Sequence, residues 1–107
     1  MTSKEDILKF IGLIKRAGKT CAGKDSVVGA MYKGNAALLI ISKDTSGNTV
    51  SKILDAVEYE IPMYRFSTME ELGHALGEPP RGVIAITDKG FAAALDKKLT
   101  DYVDEED

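Results

Sequence analysis

Ala36-Ala37-Leu38-Leu39-Ile40-Ile41 is the stretch that decides the fold. Six consecutive apolar residues leave no polar face, and turn-prone residues bound the run: Lys33-Gly34-Asn35 before it, Ser42-Lys43-Asp44 after it. So short a run suits a strand covered on both faces better than a helix. Val83-Ile84-Ala85-Ile86, which follows the turn Pro79-Pro80-Arg81-Gly82, has the same character. Strands buried on both faces need helices above and below them, so the remaining segments must supply two helical layers.

Helix signals appear on either side in the required order. Ser3 with Asp6 resembles a capping box, Ile7, Ile11 and Ile14 recur at helical spacing, and Gly18 is a natural stop, which predicts a helix over Ser3 to Ala17. Thr20-Cys21-Ala22 reads as a strand stub, after which Gly23 opens a second helix carrying Val27, Val28, Ala30 and Met31 that Gly34 closes. Beyond a polar loop from Ser42 to Thr49, Val50, Ile53, Leu54 and Val57 mark a third helical face. Pro62 precedes the short strand Met63-Tyr64-Arg65-Phe66. Thr68 with Glu71 forms a second capping box, for a helix through Leu72 and Leu76 that stops at Gly77. Asp88 caps a final helix with Phe91, Ala94 and Leu95. Helices alternating with short apolar strands define an α/β protein with helices on both faces of the sheet. No repeat, low-complexity tract or linker divides it: residues 1–100 form a single domain and residues 101–107 an acidic C-terminal tail.

Length and charge bound the function. The chain has 107 residues, one cysteine and one histidine, enough for one core and not for a disulfide framework, which fits a cytoplasmic protein. No apolar run approaches the roughly 18–20 residues that cross a bilayer. The first residues, Met1-Thr2-Ser3-Lys4-Glu5-Asp6, lack the shape of a signal peptide. A monomer without membrane contact is the expectation. The net charge of −3 averages two unlike parts. Lys9, Lys15, Arg16, Lys19, Lys24, Lys33 and Lys43 face only Asp25 across that stretch, a local charge of +6, whereas 14 acids oppose six bases from Asp44 onward. Asp101, Asp104, Glu105, Glu106 and Asp107 crowd the last seven residues. A basic stripe on one face is therefore compatible with the acidic total.

Catalytic material is scarce. Gly12 to Thr20 imitates a phosphate-binding Walker loop, but five residues instead of four separate the glycines, and Gly18-Lys19-Thr20 ends a helix instead of opening one. Cys21 reads as a small buried hydrophobe, and His74 as a packing or partly exposed imidazole. Nothing in the sequence places the two together, and neither builds a metal site. The chain is read as a non-enzymatic protein with no cofactor and no metal. Gly23-Lys24-Asp25-Ser26 is better material, because a helix N-terminus offers free N–H groups and a favourable dipole to an anion such as a phosphate. The structural alternative is a plain glycine turn with Asp25 or Ser26 as cap. Gly29, costly inside a helix, points to something approaching closely, a packed helix or a ligand backbone.

Several segments in register carry a family resemblance. Leu13-Ile14-Lys15-Arg16-Ala17-Gly18-Lys19, Gly23, Lys33 to Asp44, Glu71-Leu72-Gly73-His74-Ala75-Leu76-Gly77 and Arg81 to Gly90 together resemble the kink-turn RNA-binding family of ribosomal proteins L7Ae, L30e and S12e, most of all its small bacterial YlxQ-like members. The resemblance spans roughly residues 7 to 97. It implies a three-layer α/β/α sandwich with a mixed four-stranded sheet, and binding to structured RNA, ribosomal or regulatory. It further implies that the second helix's N-terminus enters a kinked RNA and that the loop before the last strand touches a flipped nucleotide. The matching positions are Gly23, Lys24, Asp25, Ser26 and Gly29, with the loop Glu78, Pro79, Pro80, Arg81 and Gly82; Lys33, Lys43 and Arg81 add phosphate contacts by charge. Many kink-turn binders read Gly-x-Asn-Glu-x-x-Lys along the turn, where this chain has Asp25, Ser26 and Gly29. Asp25 can only accept hydrogen bonds and repels phosphates. A protein-interaction module on the same fold, its RNA surface altered by these substitutions, is the alternative reading.

Overall fold

The computed structural model describes residues 2–102. Among them five helices alternate with four strands: α1 (Lys4–Arg16), β1 (Thr20–Ala22), α2 (Lys24–Tyr32), β2 (Leu38–Ile41), α3 (Gly47–Asp55), β3 (Met63–Arg65), α4 (Met69–Leu76), β4 (Val83–Ile86) and α5 (Lys89–Asp101). The sheet has the order β1-β4-β2-β3. β4 pairs antiparallel with β1 and β2, while β2 and β3 pair in parallel, so the sheet is mixed as expected. β2 and β4 are buried along their whole length, as their unbroken apolar runs require.

Alternation along these two strands splits the core. Leu38, Ile40, Ile84 and Ile86 face α1, α4 and α5, packing with Ile7, Ile11, Ile14, Leu72, Leu76 and Leu95. Leu39, Ile41, Val83 and Ala85 face α2 and α3, packing with Val27, Met31 and Ile53. The result is the three-layer α/β/α sandwich.

Local signals set the element ends. Ser3 and Asp6 form the reciprocal capping box, and Asp88 accepts from the Phe91 N–H at 2.8 Å. At α4 only half of the box forms: Thr68 accepts from the Glu71 N–H, but the Glu71 carboxylate takes hydroxyls of Ser67 and Thr68 instead of the cap backbone. One helix start differs from expectation. α3 begins at Gly47, because Ser46 caps it through the Thr49 N–H at 3.3 Å, so the polar residues Gly47, Asn48 and Thr49 form its first turn. Its buried face is narrow: Ile53 is fully buried while Leu54 stays exposed, with Ala56 filling the core beyond the helix end. α5 ends at Asp101, whose carboxylate accepts from the Thr2 backbone N–H (2.7 Å) and hydroxyl (3.0 Å). The remainder of the expected tail, residues 103–107, lies outside the described residues.

The strand directions bring the exits of β1, β2 and β3 and the entry of β4 to one end of the sheet. Four connections meet there.

Candidate nucleic-acid interface

The turn between β1 and α2 is built on Gly23. Its φ of 93° lies where a side chain would be strained, and its N–H donates to the Val83 carbonyl at 3.0 Å. Gly23 itself is the N-cap of α2, with no side chain capping the helix. The alternative in which Asp25 or Ser26 caps it does not occur, because both lie inside the first turn. Asp25 and Ser26 are exposed, and Lys24 is half-buried beside them. The first turn of α2 thus presents uncapped N–H groups at the open end of the sheet.

The loop before β4 closes onto this turn. A Cβ built at Gly23 would lie 3.3 Å from Arg81 Nη1, so the guanidinium rests against the glycine. Arg81 is held there by Glu78: its Nε and Nη2 both stand 3.0 Å from Glu78 Oε1. The other carboxylate oxygen takes Lys15 Nζ from α1 at 2.5 Å. Lys15 and then Arg81 hold the Glu78 carboxyl below the usual carboxylate range. Pro79 and Pro80, which lead into Arg81, cross α4 at the buried Gly73, where a Cβ would fall 2.7 Å from the Pro79 carbonyl carbon and 2.8 Å from Pro80 Cα.

The loop after β2 completes the cluster. Thr45 Oγ1 donates to the Gly82 carbonyl at 2.8 Å and also meets Ser42 Oγ, while the Ser42 N–H reaches the same carbonyl. A side chain at Gly82 would collide with Thr45, since its Cβ would lie 2.7 Å from Oγ1. Arg65 donates to the Ser42 and Lys43 carbonyls at 3.1 and 3.0 Å, and the Lys43 N–H donates to Ser67, a buried residue at φ 63°. Asp44 accepts from the Met69 N–H at 2.9 Å; the Ser42 side chain first, then that backbone bond, lowers its pKa. Asp44 and Glu78 are both engaged with protein groups. Asp25 makes no hydrogen bond or ion pair among the described residues.

Of the expected site residues, Gly23, Lys24, Asp25, Ser26, Lys43, Pro79, Pro80, Arg81 and Gly82 gather at this one end. Lys33 does not join them: it caps the far end of α2, about 13 Å away at 1.5 Å per residue. Gly29 has no protein atom within 4 Å of where a Cβ would stand, so a closely packed helix is not its cause. The basic residues from Lys9 to Lys43 do not form one stripe either. α1 and α2 lie on opposite faces of the sheet, and their cations are shared between two layers. The sequence places Glu78 in the loop without showing that it fixes Arg81, and it does not single out Thr45, Gly73 or Ser67, which also fix the loops; Gly73, a glycine inside a helix, was the one visible signal.

The layers also separate the two groups that nucleophilic chemistry would use. Cys21 packs with the α2/α3 core, and burial pushes its thiol up, away from the reactive thiolate. His74 is exposed on α4, on the opposite face. Among the described residues no helix is long and apolar enough to cross a membrane.

Comparison with known proteins points the same way. Residues 5–96 match the Ribosomal protein L7Ae/L30e/S12e/Gadd45 family. The RNA-binding protein YlxQ of Bacillus subtilis (strain 168) is 35% identical over 87 residues, covering 80% of this chain and 87% of that protein. The RNA-binding protein YlxQ of Enterococcus faecium is 31% identical over 91 residues, covering 84% and 87%. Among solved structures, a protein of unknown function from Bacillus halodurans C superposes with a TM-score of 0.83 at 34% identity, covering 88% of this chain and 96% of that one. The Giardia lamblia 15.5kD RNA binding protein shares the fold, with a TM-score of 0.70 at 21% identity over 90% and 86% of the two chains.

Proposed function

The chain belongs to the Ribosomal protein L7Ae/L30e/S12e/Gadd45 family, and from that premise we propose that it is a non-enzymatic, cytoplasmic protein that binds structured RNA of the kink-turn type as a monomer. The observation that carries the reading is the seating of the Arg81 guanidinium against Gly23, at the uncapped N-terminus of α2. Backbone N–H groups, a helix dipole and the Arg81 guanidinium, fixed by Glu78, then meet at one turn, with Lys24 as a further cation on it. Phosphates supply most of the affinity, and the shape of the kink supplies the selection. Lys43 and the turn Pro79-Pro80-Arg81-Gly82 flank the entering strand, Asp25, Ser26 and Gly29 line it, and Lys33 meets only RNA that extends along α2.

Calorimetric titration of a kink-turn RNA against a straight duplex of the same length tests this reading. The kink-turn RNA binds more tightly, and Arg81→Ala and Lys24→Ala each weaken it and make the salt dependence shallower by about 0.7–0.9 in log–log slope. Equal affinity for the two RNAs refutes kink recognition. Retention of protein partners after nuclease treatment, with no RNA bound, would favour the interaction-module alternative.

A further inference from the structure

α1 and α4 run side by side in the same direction. Lys4 reaches Glu71 at 2.7 Å, Gly12 faces Ala75, and Lys15 reaches Glu78 at 2.5 Å. The backbones come close midway: a Cβ on Gly12 would stand 3.0 Å from the Ala75 carbonyl oxygen. Small residues at the crossing, flanked by long side chains, leave an open groove of about 600 Å³. Lys9, Lys15 and Arg16 line it from α1 and His74 from α4. Lys9, Gly12 and Arg16 follow the i, i+3, i+7 spacing of one helical stripe. Glu71 and Glu78 are already neutralised by Lys4 and by Lys15 with Arg81, whereas Lys9 and Arg16 have no acidic partner among the described residues.

We propose that this groove takes the phosphodiester backbone of a duplex stem belonging to the bound RNA. The proposal rests on the RNA-binding reading above. Two arguments select this occupant. Lys9 and Arg16 stand about 10 Å apart along α1 at 1.5 Å per residue, so they track an extended polyanion instead of clasping one small anion. The groove is also continuous with the loop cluster, because the Glu78 carboxylate is shared between Lys15 on its rim and Arg81 beside Gly23.

The test compares a kink-turn RNA with minimal stems against two RNAs in which one or the other stem is a helical turn longer. Wild-type protein binds one of the longer RNAs more tightly, with a salt dependence steeper by about 1.4–1.8 in log–log slope, or about tenfold between 50 and 200 mM salt. The double variant Lys9→Ala/Arg16→Ala, altered only at exposed positions, loses that gain and binds the short RNA as wild type does. A long-stem gain that the double variant keeps, or no gain from either stem, overturns the groove while leaving the loop cluster standing. Failure to bind any of the three RNAs refutes the RNA reading and this inference with it.

Discussion

Gly73→Ala and Gly29→Ala make the same chemical change inside two short helices, yet they should move stability in opposite directions. Alanine is better than glycine in a helix interior by about 1 kcal/mol, because the unfolded glycine backbone has more freedom to lose. Gly29, the sixth of nine residues in α2, offers the new methyl open space, so the gain is kept. Gly73, the fifth of eight in α4, is buried under Pro79 and Pro80, and the new Cβ would fall 2.7 and 2.8 Å from their backbone carbons. Backbone cannot swing aside as a rotamer does, and two consecutive prolines are stiffer still. Overpacking of this kind costs about 1–3 kcal/mol. With the new Cβ closer still to the Pro79 carbonyl oxygen, the cost sits at the upper end of that range, and against the propensity gain it leaves a net loss of about 2 kcal/mol.

Thermal unfolding followed by circular dichroism reads the difference directly. A domain of this size shifts by about 4–8 °C per kcal/mol, so Gly29→Ala melts about 4–8 °C above wild type and Gly73→Ala at least as far below it. A second readout follows from the loop. The Arg81 N–H donates to the Met69 carbonyl at 3.0 Å, and the residues that clash with a Cβ at Gly73 are the ones that deliver Arg81 to Gly23. Gly73→Ala therefore also weakens RNA binding at temperatures where it is fully folded. Should Gly73→Ala melt at or above the wild-type temperature, the close crossing of α4 by Pro79-Pro80 is not what that glycine serves.

Asp25→Asn removes an exposed negative charge beside the α2 N-terminus and restores a group that can donate. RNA affinity rises about fivefold at low salt, corresponding to about 1 kcal/mol for one charge at close range in water, and the gain shrinks as salt is added; an unchanged affinity places Asp25 outside the contact. The carboxyls of Glu71 and Glu78 are held below their ordinary range, chiefly by Lys4 and Lys15. A lowered folded pKa means that the unfolded chain binds more protons as the pH falls, so this stability is complete above about pH 4.3 and is lost on further acidification. The urea midpoint stays flat from pH 7 to about 5 and falls below about 4, less steeply in Glu78→Gln; a midpoint that rises on acidification contradicts the assignment.

The fold was legible because its signals are local. A short apolar run without a polar face suits a strand covered on both faces better than a helix, and Ser3, Asp88 and the glycines after α1, α2 and α4 mark helix ends within one turn of themselves. The misread boundary at α3 has the same origin: Ser46, Gly47, Asn48 and Thr49 look like loop by composition, and only the Ser46 cap converts three of them to helix. The Gly23 turn was legible for the same reason, as a glycine before a helix start. Its partner residues were not, because they act across long stretches of chain. Thr45 and Gly82 are 37 residues apart and Lys15 and Glu78 are 63 apart. No periodicity or motif links such pairs before the sheet brings them together.

Charge counting failed at this point in an instructive way. By number, Glu78 subtracts one from the charge around the Gly23 turn. In place, its two oxygens fix Lys15 on one helical layer and Arg81 beside the N-terminus of a helix on the other. The basic residues of α1 and α2 lie on opposite faces of the sheet and cannot act as one surface through their own helices. At the sheet's end this carboxylate ties Lys15 of α1 to Arg81, which rests against the N-cap glycine of α2. An acid from the negative half of the chain thus links one cation of the positive half, Lys15, to one of its own half, Arg81, and a contact of this kind is invisible to net charge and to local charge alike.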